Sequence, residues 1–464
     1  MRAAGTRVYL LCSRRPIVAE FCLLAEKLSA QGYKPVLVVP NGLWHLLPKP
    51  LPPGAELTGT NSQAWRQAGM LCLAAYVAYA LVRRLGRLAR QAGLQLAADF
   101  LDTSEAIARG RSFARRILKL GPDGAAVLTA DDRDIRVDQG VLSEARRLGM
   151  LTLSVAFGKS DVATDAFRRS APAYQLASGP LKRLKASIAR SYPQGVRSDA
   201  DGRQVLFFRP GEYLALRRCG LLFPAPWSYG GGTADKVSAT DEAAAATMQQ
   251  LGVPGGKIVV AGQCSHDTLW RINQDRQRIR GQLDEKYGFS PSQALVLVAL
   301  PPLSEHGLTD DKLQQSETGF LFETMARLNG KNVLVSLHPR QEPVAYQALA
   351  GRFGLAIATE PLREILPAAQ LFVAYSSTIS WAQLLGIPSV ALEYYGFGYT
   401  LFANEPGVEP ALTRESLYSL CETCLRNDKA RKSMAEAMAR MPARSLFDGE
   451  ACMRLIHQIE EARK

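Results

Sequence analysis

The sequence lacks an apolar run long enough to cross a bilayer. Its longest, residues 69–82, falls short of the roughly 20 residues a spanning helix needs. That run leads directly into Arg83, Arg84, Arg87 and Arg90. It reads as a core helix with a basic exit, and the same residues also permit an interfacial helix lying on anionic lipid. A signal peptide is not expected from the opening residues either. The opening stretch passes straight into Val8-Tyr9-Leu10-Leu11-Cys12 without a long apolar segment or a small-residue cleavage site, so export is not expected. The eight cysteines are scattered, mostly in apolar segments where a buried thiol behaves as a small hydrophobe. That suits a reducing, cytoplasmic location. Cys421 and Cys424 form a CxxC with no second pair, so no metal site is expected. No internal repeat or low-complexity tract is present.

What is present is ample core material. Hydrophobic residues make up 47% and charged residues 21% of the 464 positions, a balance that excludes extensive disorder. The length exceeds what one ordinary core supports, so two or three domains are expected. There are 56 Lys and Arg against 43 Asp and Glu, a formal charge of +13. Such a surface attracts phosphorylated ligands, anionic lipid or nucleic acid, and charge alone does not choose among them. Much of the excess lies in the arginines after residue 82 and in Arg109, Arg111, Arg115, Arg116 and Lys119. Each run reads as a solvated helix face or as a binding patch.

Short β-rich runs alternate with helical patterns. They fall at 7–12, 34–39, 125–130, 151–156 and 204–208, then at 257–262, 294–300, 332–338, 371–376 and 389–394. Near-continuous Val, Leu, Ile and Ala, with little period-two alternation, mark strands buried on both faces of a parallel sheet. Helices must then cover both sides. The stretch 224–233, rich in Pro and Gly, reads as a linker or functional loop, and Thr240-Asp241-Glu242 caps an Ala-rich helix. The expected fold class is α/β, with two doubly wound Rossmann-like domains facing a cleft. The first spans 1–225, a linker and helix follow at 226–256, and the second spans 257–464, its last helix packing back on the first domain. Open α/β sheets bind ligands at the carboxyl ends of their strands.

The segment 332–340 is a buried strand ending in His338-Pro339-Arg340. Proline stops strand pairing and holds the preceding residue extended, which places His338 and Arg340 at the sheet edge as donors for phosphate oxygens. The strand 371–376 ends in Ser376-Ser377-Thr378 and opens a helix, where hydroxyls and unpaired N–H groups together favour an anion. These two strand ends are expected side by side, aimed at one anion. Gly262, ending its strand, would let a ligand approach the backbone. His266, Glu305 and His306 follow strands and are further cleft candidates. In the first domain the strand 125–130 ends in Asp131-Asp132, carboxylates suited to act as a base or to bind sugar hydroxyls. Arg14 and Arg15 follow the first strand.

Residues 257–459 resemble the nucleotide-binding domain of non-hydrolysing UDP-N-acetylglucosamine 2-epimerases and of bacterial surface-polysaccharide glycosyltransferases of the GT-B type. The matching order is Gly262-x-x-x-His266-Asp267, His338-Pro339, Ser376-Ser377-Thr378 with Leu384-Leu385-Gly386-Ile387-Pro388, and Phe447-Asp448-Gly449-Glu450-Ala451. Where the epimerases carry paired glutamates after the serine, this chain has Trp381-Ala382-Gln383, which argues against their proton chemistry. The His-Pro and double-serine pair is also similar to the donor site of transferases that use CMP-sugars. The resemblance implies a metal-independent glycosyltransferase without cofactor, taking a CMP- or UDP-linked sugar to a capsule, lipopolysaccharide or similar glycan or lipid-linked acceptor. Gly262, His338, Arg340 and Ser376–Thr378 would hold the donor nucleotide, and Asp132 or Asp131 would activate the acceptor. An epimerase-like enzyme and a non-catalytic nucleotide-binding scaffold are the alternatives. Nucleic acid is not an expected partner. Peripheral contact with the inner face of the cytoplasmic membrane stays open.

Overall fold

The structure, a computed structural model, describes residues 5–121, 124–157, 162–199, 201–305, 308–395, 402 and 404–462. The chain divides into two compact units, one of residues 1–265 with 450–464 and the other of residues 266–449.

The first unit is built on a seven-stranded sheet of β1 (Arg7–Leu11), β2 (Lys34–Val39), β3 (Glu56–Gly59), β4 (Ala126–Thr129), β5 (Leu151–Ser154), β8 (Lys236–Ala239) and β9 (Ile258–Val260), with a separate antiparallel hairpin of β6 (Val196–Ser198) and β7 (Gln204–Leu206). The order is β3-β2-β1-β4-β5-β8-β9, and every pairing in it is parallel. Both faces are covered, as the continuous apolar runs predict. Val8, Leu10 and Cys12 point to one face, against Phe21 and Leu24 of helix Arg15–Ala30 and Leu455 and Ile459 of helix Ala451–Glu461. Tyr9 and Leu11 point to the other, with Phe113, Val141 and Leu142.

The second unit repeats the plan. Its six strands are β10 (Leu295–Ala299), β11 (Asn332–Ser336), β12 (Ala356–Ile357), β13 (Leu371–Ala374), β14 (Ser389–Leu392) and β15 (Val408–Ala411), in the order β12-β11-β10-β13-β14-β15. Val296 and Val298 face one core with Phe322, Met325 and Leu417. Leu295 and Leu297 face the other with Leu283, Ile365 and Leu385. Cys421 and Cys424 are buried in the first of these cores. Burial pushes the Cys424 thiol up to about 12, which keeps the sulfur protonated and packed. The doubly wound α/β class expected from the sequence is present in both units.

Four expectations are corrected. Residues 226–256, read as a linker and helix, are folded into the first unit, because the strand Lys236–Ala239 pairs with β5 on one side and with β9 on the other. The run 257–262, read as the start of the second domain, is accordingly the edge strand of the first sheet. The run 204–208 forms the small hairpin and no part of a parallel sheet. Finally, the helix Met70–Gln91 is not a core helix. Gly86 lets it approach helix Gln95–Arg116 so closely that a Cβ there would stand 2.2 Å from Asp102 Oδ1. It docks by that face alone and leaves Leu71, Leu81 and Leu85 exposed.

Candidate functional site

The topology of each sheet marks where a ligand belongs. In both, successive strands run outward from the first strand, then reverse to its other side, and the crevice at such a switch point takes the ligand at the carboxyl edge. In the second unit the switch lies between β10 and β13.

Register places the predicted donors there. Ala299 is paired with Ser336, and Val298 with Val373, which brings Ala374 level with Ala299. Two residues beyond those three positions lie Pro301, His338 and Ser376. His338 and Ser376 thus end level at one edge, but with β10 between them. Two strand spacings separate them by about 10 Å, where the sequence suggested adjacent strands.

His338 is held by its own turn. Its N–H donates to Gln341 Oε1 at 2.8 Å, and its Nδ1 accepts the Arg340 N–H at 3.2 Å. An occupied Nδ1 acceptor puts the proton of the neutral ring on Nε2, making that atom a donor. Gln341 Nε2 reaches Pro301 O and Tyr346 Oη, each at 3.4 Å, and Tyr346 donates to Glu305 Oε1 at 3.1 Å. The Arg340 guanidinium donates to Glu305 O at 3.3 Å. From the other side Gln314 receives the Leu303 N–H at 2.7 Å and donates to Pro301 O at 3.1 Å. Glu305 and Arg340 therefore sit in one network with the end of β11. His306 lies outside the described residues.

At the end of β13, Ser376 Oγ and Thr378 Oγ1 are 2.5 Å apart, and Ser380 Oγ donates to Ser377 O at 2.6 Å. The N–H groups of Ser377 and Thr378 meet no acceptor among the described residues, as the start of helix Ile379–Leu385 dictates. Gly386, at φ +71°, ends that helix in a left-handed turn. Three tyrosines flank this edge: Tyr375 and Tyr395 meet edge to face at 5.4 Å, and Tyr394 lies 4.6 Å from Tyr395. Such ring faces suit stacking on a nucleobase. The sequence reading passed over them, although Tyr375 stands directly before the serines.

In the first unit the switch point lies between β1 and β4, which brings together Arg14, Asp131 and Asp132 as expected from their strand ends. Their carboxylates, however, are already engaged. Asp131 accepts Arg133 Nε at 3.0 Å and Nη2 at 3.1 Å, with Arg14 at 3.6 Å. Burial raises its pKa, but Arg133 and Arg14 outweigh burial and hold it below the usual carboxylate range. Asp132 is 0% exposed. It accepts the Gly232 N–H at 3.2 Å, the Ala234 N–H at 3.0 Å and Lys257 Nζ at 3.0 Å. A Cβ at Gly232 would lie 2.0 Å from Asp132 O, so glycine is required at that approach. Asp132 thus ties the loop after residue 224 and the start of β9 to the end of β4, the position of a structural staple and not of a solvent-facing base. Arg14 donates to Asp134 at 3.1 Å, and exposed Arg15 contacts His45 at 3.0 Å.

Two further candidates are placed differently from their expectation. Gly262 adopts φ +83°, and the space left by its missing side chain is taken by Ala451, 3.1 Å from a Cβ built there. It serves helix packing in the first unit. His266 is buried in helix Cys264–Gln274, and burial drives its pKa down to about 4, leaving the ring neutral. A carboxyl that the sequence reading missed is Asp138, in the first turn of helix Val137–Arg147. Thr129 donates to it at 3.3 Å, and burial, then Asp134, raises its pKa to about 6. An acidic residue in the first turn after a buried strand was the available signal.

No protein-family model matches the chain, and no curated protein matches it. Among solved structures it is similar to the UDP-GlcNAc 2-epimerase of Neisseria meningitidis bound to UDP-GlcNAc, with a TM-score of 0.53 and 11% identity over 98% of this chain and 100% of that one. It is similar to the wall teichoic acid polymerase TagF, with a TM-score of 0.50 and 11% identity over 100% and 90%. It is likewise similar to the calicheamicin glycosyltransferase CalG4, with a TM-score of 0.54 and 11% identity over 100% and 98%. The fold is of the GT-B type. At such identities the likeness is one of fold, so the roles of individual residues rest on the local geometry.

Proposed function

We propose that this chain is a glycosyltransferase, independent of metal, that moves a sugar from a CMP- or UDP-linked donor to a cell-surface glycan such as capsule or lipopolysaccharide. The observation that supports this best is the level placement of His338 and Ser376 on the carboxyl edge of the second sheet, beside its switch point. In such a transfer the acceptor oxygen bonds to the anomeric carbon, and the bond from that carbon to the donor phosphate oxygen breaks. The electron pair stays on the leaving phosphate. His338 Nε2–H, the hydroxyls of Ser376 and Thr378 and the backbone N–H groups of Ser377 and Thr378 are donors suited to that charge. Arg340 adds a cation. Preorganised donors of this kind stabilise a leaving group without a metal, each typically contributing ~10²-fold or more. The acceptor's proton is not assigned to Asp131 or Asp132, whose oxygens are bound within the fold.

The test is thermal denaturation of the full chain with CMP, UDP and their sugar conjugates. Saturation at about 100 times Kd adds about 2.7 kcal/mol, so one nucleotide class should raise Tm by several degrees. No shift with any of them would remove the proposal. Turnover of UDP-N-acetylhexosamine without acceptor, read by mass spectrometry, would favour the epimerase-like alternative. Binding without turnover of any donor would leave a nucleotide-binding scaffold.

A further inference from the structure

The helix Met70–Gln91 shows its apolar side to solvent. At about 100° per residue, Met70, Val77, Leu81, Leu85 and Leu88 fall on one face. That face is exposed, Leu71 beside it by 81% and Leu81 and Leu85 by 56% each. The opposite face carries Tyr76 and Tyr79, whose rings lie 5.9 and 6.1 Å from buried Trp65. A surface helix ordinarily turns its apolar stripe inward; here the docked face is the mixed one, and a contiguous apolar patch remains outside.

Charge identifies what covers it. The helix contains no acidic residue, and Arg84 and Arg87 are exposed along one flank of the stripe. Behind that flank lies a groove of about 590 Å³ in which Arg83, Arg87, Arg109 and Arg136 outnumber Asp102 and Glu105. No described helix is long and apolar enough to cross a membrane, so this one would lie in the plane of a surface. A second copy of the chain fits poorly. Parallel pairing of the stripe would bring the arginines of both helices together, and antiparallel pairing would set them against an apolar half that offers no carboxylate.

We propose that helix Met70–Gln91 is an interfacial helix that seats the protein on an anionic lipid bilayer. Its leucines enter the boundary between headgroups and acyl chains, and its arginines meet the lipid phosphates. This goes beyond the transferase proposal and stands whatever reaction the protein performs.

The experiment is flotation of the full chain with vesicles of phosphatidylcholine alone or with about 30% phosphatidylglycerol, in about 0.1 M salt. The protein should float with the anionic vesicles only and release as salt is raised. The double variants Leu81→Asp/Leu85→Asp and Arg84→Glu/Arg87→Glu should each bind at least ten-fold less. All four side chains are exposed, so both variants should melt as the parent does. No flotation with either vesicle, equal flotation with both, or binding that neither variant weakens would overturn the proposal. So would a dimer in solution that Leu81→Asp/Leu85→Asp dissociates, without vesicle binding by the parent; that result would assign the face to a second copy.

Discussion

The two sheets follow the same winding order, yet the polar residues at their carboxyl edges are used in opposite ways. In the first unit the charged groups there neutralise one another: Arg14 with Asp134, Arg133 with Asp131 and Asp165, Lys257 with Asp132. In the second, His338 bonds to Gln341 and Arg340 of its own turn, and the hydroxyls of Ser376 and Thr378 bond to each other. Topology tells where a ligand could go, and saturation tells whether the residues found there are able to receive it. A strand-end carboxylate filled by two N–H groups and a buried ammonium is part of the scaffold, however much its position suggests catalysis.

The sharpest way to break this contrast is Asp132→Ala. It strands Lys257 and two N–H groups in a buried place, and removing one partner of a buried ion pair typically costs about 3–5 kcal/mol. Urea denaturation should show that loss, whereas a cost below about 1 kcal/mol would show Asp132 dispensable to the fold. Next in size is Asp138→Asn. The Asp138 carboxyl titrates near 6 in the folded chain against an ordinary 3.8, a raised value, so its favourable contribution is complete below pH 4 and lost as pH rises through 6. The difference corresponds to about 3 kcal/mol. Between pH 4 and 7 the parent should therefore lose about that much stability relative to Asp138→Asn. Parallel curves for the two proteins would show that the buried carboxyl, facing Thr129, Ser13, Asp134 and Arg136, titrates normally.

What the sequence made legible follows the same line. Most central strands announced themselves as runs such as Val296-Leu297-Val298, since a strand covered on both faces must be apolar throughout, whereas Lys236–Ala239, which holds Lys236 and Ser238, did not. The edge strands Glu56–Gly59 and Val408–Ala411 did not. Glu56–Gly59 and Val408–Ala411, the latter with Pro410, each pair with a single neighbour and are only half-buried at Glu56–Gly59 and at Glu409 and Pro410, so no continuous apolar run is required of them. His338 was readable because its placement is local, set by a strand and the proline after it. The role of Asp132 was not, because its partners Gly232, Ala234 and Lys257 lie 100, 102 and 125 residues further on. The exposed leucines of Met70–Gln91 were equally hidden, since periodicity reveals an apolar face without revealing what it meets.

The smaller effects sharpen the second edge. His338→Ala should leave the melting of the ligand-free chain within about 1 kcal/mol of the parent, since the side chain is partly exposed and its Nδ1 bond to the Arg340 N–H lies within its own turn. Nucleotide affinity should fall about ten-fold or more, equivalent to about 1.4 kcal/mol. Unchanged affinity would reduce the His-Pro end to a turn and make the two edges alike. Ser376→Ala should cost least. Its hydroxyl is 2.5 Å from that of Thr378, so once it is gone Thr378 and the adjacent N–H groups still face the same ligand, and a neutral hydrogen bond is worth about 1 kcal/mol net. A loss of several-fold by titration calorimetry, enlarged in Ser376→Ala/Thr378→Val beyond the product of the single changes, would show the two hydroxyls acting on one anion. Strictly independent effects would mean that the pair does not share a ligand, and that His338 alone distinguishes this edge from the first.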